Sequence, residues 1–108
     1  MIFPTIGRVV LFHPNKFFTG TWSADQPLPA LVCRVWGERM INIGGFDADG
    51  QPFRMTSVRL LQDDEAAAPE EAHCSWMPYQ KGQAGKNDLL EAKLQEAKLM
   101  ASAGPPLI

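Results

Sequence analysis

The sequence predicts a mainly β protein: a small, strongly bent antiparallel sheet or small barrel, followed by one C-terminal helix. Three observations carry this. From Ala30 to Ser57 the chain is rich in β-branched, aliphatic and aromatic residues, which fit a pleated, half-buried surface. Two turn signals divide that stretch into three strands. Asn87 to Ala103 places apolar residues at helical spacing between a capping residue and a Gly-Pro-Pro stop. A chain of 108 residues is expected to form one domain with a single modest core. The expected organisation is a small β-barrel domain over 1–80, a linker over 81–86, the helix over 87–103 and a tail over 104–108.

Ile2 to Phe12 opens with Phe3-Pro4, and Ile6 to Phe12 then reads as the first strand. Val9 and Leu11 share one face; Ile6, Arg8, Val10 and Phe12 share the other. His13 to Pro29 follows as a loop, because Pro14, Gly20, Pro27 and Pro29 interrupt regular structure. It nevertheless holds Phe17, Phe18 and Trp22. Either the loop folds over one barrel end and plugs the core, or it is a lid whose aromatics meet a ligand or partner. In the second version Lys16 contacts a phosphate.

In the central stretch, Leu31, Val32, Cys33, Val35 and Trp36 form a strand. Gly37-Glu38 suggests a two-residue type II′ connection with Gly first. Arg39 to Phe46 continues the sheet, with Ile41 and Ile43 on one face and Met40 and Asn42 on the other. Gly44-Gly45 marks a break: a bulge, a bend or the close approach of another backbone. Asp47-Ala48-Asp49-Gly50 is a turn, since Asp starts turns and Gly accepts positive φ. Gln51 to Ser57 returns, and Val58 to Gln62 either extends that strand or forms a short fourth. His73 to Met77 is a candidate last strand, ended by Pro78.

In the helix, Asn87 is the expected cap, and Leu90, Leu94, Ala97 and Ala101 make one stripe. A lone helix this long is marginal in water. The helix is therefore expected either to contact another subunit through Leu90, Leu94 and Ala97, making the protein a homo-oligomer, or to be a disordered tail.

The formal charge is −2, which argues against nonspecific duplex nucleic acid as a partner. The charge is uneven. Up to Gln62, the cations Arg8, Lys16, Arg34, Arg39, Arg54 and Arg59 outnumber Asp25, Glu38, Asp47 and Asp49. Asp63 to Gln80 then carries Asp63, Asp64, Glu65, Glu70 and Glu71 with no Lys or Arg. This acidic segment is either a solvated linker or an electrostatic contact with arginines of its own or another subunit. Cys33 and Cys74 do not form a CxxC pair, and no signal peptide or membrane-spanning run is visible. Free thiols in a reducing cytoplasm are expected.

Enzyme chemistry finds little footing. The chain has no GxSxG, P-loop, HExxH or paired CxxC. His13, Cys33, His73 and Cys74 make a poor zinc set, because neighbours in a strand point to opposite faces. A Cys–His nucleophile pair rests on residue identity alone. No metal and no cofactor are expected. The binding case is stronger. Trp76, Tyr79, Gln80 and Lys81 combine aromatic area, an amide and a cation within one short stretch. The alternative is that Trp76 closes the core, Tyr79 caps it and a linker follows. Arg34, Arg39 and Arg54, on adjacent strands, make an anion-binding patch if they share a face.

PTIGRVVLFHP, INIGGFDADG, SVRLLQDDE and WMPYQKGQAGK together resemble a group of small proteins encoded by tailed bacteriophages and prophages. The resemblance spans roughly Pro4 to Lys86. It implies a phage product acting in the host bacterial cytoplasm, and assigns no functional residue. The bent sheet is also similar to SH3-like β-barrels, an architectural likeness. The expectation is a non-enzymatic, homo-oligomeric binding protein. It would capture a host factor or a small anionic ligand such as a signalling nucleotide, as in counter-defence. A virion or assembly component is the alternative, and a small barrel binding single-stranded nucleic acid is another.

Overall fold

The computed structural model describes residues 1–63 and 65–103. Five strands, β1 (Val9–His13), β2 (Leu28–Gly37), β3 (Met40–Phe46), β4 (Pro52–Leu60) and β5 (His73–Ser75), precede one helix, α1 (Pro78–Ala103). The strands close into a barrel in the order β1-β2-β3-β4-β5. Neighbours are antiparallel except β4 and β5, which run parallel. The mainly β fold with a C-terminal helix is the one the sequence predicts.

Alternation builds the interior. Val10 and Phe12 of β1, Ala30 and Val32 of β2, and Ile41 and Ile43 of β3 point inward with Val58 and Leu60 of β4 and Cys74 of β5. Burying such side chains contributes about 1.5–3 kcal/mol each. Irregularities interrupt the register in β2 between Val32 and Arg34 and between Val35 and Gly37, and in the β3–β4 pairing between Ile41 and Ile43. Such bulges sharpen the twist and let a short sheet close. At the third, Ser57 takes a positive φ of 54° and donates its N–H to Asn42 Oδ1 at 2.8 Å.

Several local expectations are corrected. The first strand begins at Val9 rather than Ile6, because a turn at Gly7 (φ 89°) precedes it. The β2–β3 connection is Glu38-Arg39, since Gly37 pairs with Met40. Neither connecting residue has the positive φ that a type II′ turn requires. Gly44 and Gly45 do not break β3. Instead Gly45 admits another backbone, because a Cβ there would lie 2.3 Å from the Pro29 carbonyl oxygen. Residues 81–86 are helical rather than a linker, and the helix starts at Pro78 instead of being capped by Asn87. The reason is local. Proline suits the first helical position, and Gln80 Oε1 accepts the Met77 N–H at 2.8 Å, half of a capping box. The expected tail over 104–108 and the Ala101 side chain lie outside what is described.

The Asp47–Gly50 turn forms as expected, with Gly50 at φ 81°. Asp47 Oδ1 accepts the N–H groups of Asp49 and Gln51, and Oδ2 accepts that of Thr21. These bonds, led by Gln51, hold the Asp47 carboxyl below its usual range. The turn thereby anchors the β1–β2 loop. Phe18 of that loop packs against Phe12 and Phe53, with ring centroids 5.7 and 5.1 Å apart.

Candidate binding face

Trp36 sits at the end of β2, where the bulges set its side chain outside the barrel, and it is 53% exposed. Its orientation is fixed twice. The indole N–H donates to Asn42 Oδ1 at 2.9 Å, and the Arg34 guanidinium lies 3.9 Å from the ring centroid, a cation–π contact. Asn42 Oδ1 also accepts the Ser57 N–H, so one amide oxygen ties β2, β3 and β4 together at this point.

Beside Trp36 opens a cleft of about 540 Å³, lined also by Arg39, Met40, Ser57, Arg59, Glu71 and Ala72. Glu65 organises the cations. Its carboxylate accepts from Arg39 Nε at 2.9 Å and lies 3.6 Å from an Arg59 nitrogen. Arg39 also pairs with Glu38. The Gln62 backbone N–H, then the Arg39 hydrogen bond, hold the Glu65 carboxyl below its usual range. Arg59 Nε is buried with no hydrogen-bond partner. The acidic segment thus contacts the chain's own arginines, one of the two alternatives the sequence left open. Glu70 adds a 3.4 Å pair to Lys16.

A second cleft, about 380 Å³, lies under the β1–β2 loop between His13, Trp22 and Asp25. Across β1 and β5, His13 and His73 stack with centroids 4.5 Å apart and planes 10° from parallel. His13 Nε2 is 2.8 Å from Ser75 Oγ. This pair has a base and a hydroxyl, but no carboxylate hydrogen-bonded to His13 among the described residues. His73 faces outward and Cys74 inward, as neighbours in a strand must. Among the described residues no cluster of three metal-ligating side chains occurs.

The expected contact residues divide. Arg34 and Arg39 belong to the Trp36 face. Arg54 is exposed but sits opposite Gly44, outside the cleft walls, so the three arginines form no single patch. Trp76 is not a contact residue: it is 2% exposed, and its indole N–H donates to Gln62 Oε1 at 3.2 Å. Gln80 is consumed structurally, capping α1 and donating Nε2–H to the Val9 carbonyl at 3.0 Å. Tyr79 and Lys81 are exposed on the first turn of α1, away from the cleft. In the loop, Phe18 and Trp22 pack on the core, whereas Lys16 and Phe17 remain exposed. Leu90, Leu94 and Ala97 are exposed on α1.

Sequence reasoning passed over Trp36, Asn42, Ser57 and Arg59 as site residues. A bulge reassigns faces by one residue, and nothing in the residue types announces where it falls. It also missed Gln62. That fully buried side chain donates to the carbonyls of Ile2 and Glu38 and accepts from the N–H groups of Ile2 and Trp76.

No protein-family model, curated protein or solved structure matches this chain. Among the described residues no helix is long and apolar enough to cross a membrane.

Proposed function

We propose that this is a non-enzymatic binding protein of a phage or prophage, and that it captures a host protein on the Trp36 face. The supporting observation is Trp36 itself. A large aromatic, half in water yet held rigid by Asn42 and Arg34, loses little entropy on binding and buries much area, the profile of an interface anchor. Met40 and Ala72 add apolar surface to the cleft. Its cations favour a protein over a small anion, because Arg39 and Arg59 already share Glu65 and Arg39 also holds Glu38. The phage setting rests on the resemblance of sequence words.

One observation supports the small-anion reading, with a signalling nucleotide as its example. The unpartnered Arg59 Nε, next to the cleft, would gain an acceptor from a phosphate or carboxylate.

The test compares the unmodified protein with Trp36→Ala as immobilised bait in host lysate. A specific partner is expected on the first and absent from the second, with unfolding free energies from urea titration within about 2 kcal/mol of each other, the loss of one hydrogen bond and one exposed cation–π contact. Partners captured equally by both would refute the reading. Calorimetric binding of nucleotides that is lost in Arg59→Gln would move the assignment to the anion. Incorporation into purified virions would move it to an assembly role.

A further inference from the structure

The helix leaves its own barrel. A helix of 26 residues is roughly 39 Å long at ~1.5 Å per residue. The molecule measures 66 Å along one axis and 24 and 22 Å along the others, so α1 projects outward. Its direction is set at the root by Gln80, which binds both Met77 and Val9. Along it, Leu89, Leu90 and Leu94 each keep more than half of their surface in water. A projecting helix with three such leucines has no intramolecular means of burying them.

The same chain carries an apolar surface of matching kind. On the outside of the barrel Val9 pairs with Leu31 and Leu31 with Gly44, while Leu11 pairs with Pro29. One step beyond the Ala30–Gly45 pair, Phe46 lies beside Pro29. Val9, Leu31 and Phe46 are 41%, 47% and 55% exposed. Gly44 adds no side chain of its own to this face, and the Cys33 Sγ lies 3.4 Å from where its Cβ would be.

The geometry points to reciprocal docking between two copies: the leucine-bearing middle of α1 from one protomer lies on the Val9–Leu31–Phe46 face of its partner, and the reverse, about a twofold axis. The root of α1 stands beside Val9, at the border of this face. Two helices running antiparallel and side by side therefore carry each set of leucines to the partner's root, and so to the partner's patch. Pairing helix with helix alone would leave the sheet face in water. Docking on the sheet removes both surfaces together. A twofold axis doubles each contact, which lets patches of a few hundred Å² approach the roughly 1,200–2,000 Å² of stable interfaces. This arrangement does not depend on what the Trp36 cleft binds.

Sedimentation equilibrium of the full chain tests it. The unmodified protein is expected to be a dimer; a monomer overturns the proposal. Leu94→Glu and Leu31→Glu are each expected to be monomeric, with an unchanged far-ultraviolet spectrum and a cooperative urea transition. A Leu31→Glu protein that stays dimeric means that the helices pair only with each other, and the proposal fails. If Leu31→Glu does not fold, Val9→Lys places a charge on the same row. An equimolar mixture of the helix variant and the sheet variant joins one intact helix to one intact patch. It is expected to regain a dimer fraction absent from either alone, at least tenfold weaker than the unmodified dimer; no recovery counts against the proposal. Trp36→Ala is expected to remain dimeric, which separates this test from that of the cleft.

Discussion

His13 is half-buried on the outside of β1, stacked on His73 and bonded to Ser75. Burial, then the charge of His73, lowers its pKa below the ordinary 6.5. The folded chain therefore holds this proton more weakly than the unfolded chain does. Its contribution to stability is complete above about pH 6.5 and is lost as pH falls through the lowered folded value. Urea midpoints are expected to drop as pH falls below about 6.5, the ordinary histidine value, and His13→Asn is expected to flatten that slope. An equal slope in the variant would place the proton uptake elsewhere. The two cysteines offer a second check. Cys74 is fully buried and its thiol is pushed up to about 12 by desolvation, whereas Cys33 is exposed. A thiolate reagent at neutral pH is expected to modify one thiol in the native protein, mapped to Cys33, and both after denaturation.

At the scale of elements, close contacts and caps set geometry that residue types suggest only loosely. Gly45 lies where β3 passes the Pro29 carbonyl, and an alanine methyl there would also sit 3.0 Å from Ala30 Cα. Gly45→Ala must displace backbone, and a loss of about 1–3 kcal/mol is expected, as for overpacking, measured by urea unfolding. Gly37→Ala meets nothing within 4 Å at that position and serves as the control. Much of this level was legible beforehand. The Asp47–Gly50 turn, β3, and the inward Ile41 and Ile43 follow from alternation and turn chemistry. The start of α1 did not, because Gly82 and Gly85 disguise a helix as a linker. What decides it is Gln80 reaching the Met77 N–H on one side and Val9, distant in sequence, on the other.

Over the whole molecule, the buried core among the described residues comes from the barrel strands and Trp76, with Ile2, Phe18, Trp22 and Ala72 packed against it. Ending the chain after Gln80 is therefore expected to leave a cooperatively folding monomer, checked by sedimentation and a urea transition. Non-cooperative unfolding of that fragment would mean that α1 supports the barrel. The Cα radius of gyration of a single copy is 18.7 Å, against roughly 13 Å for a compact chain of about this length. The excess is the projecting helix, and it is this extension that leaves the leucines to a second copy.

By itself the sequence determined the mainly β class, the Asp47–Gly50 turn, which residues of β1 and β3 share a face, and the presence of a C-terminal helix. Each of these depends on periodicity or on the chemistry of a few adjacent residues. It left open whether Trp76 meets a ligand or closes the core, and it read Trp36 as an ordinary strand residue. Only the tertiary structure decided both roles, sealing Trp76 over Gln62 and leaving Trp36 outside beside Arg34 and Asn42. The physical reason is that bulges and barrel closure set which way a side chain faces. Both arise from pairings between distant strands, and local residue types carry no record of them.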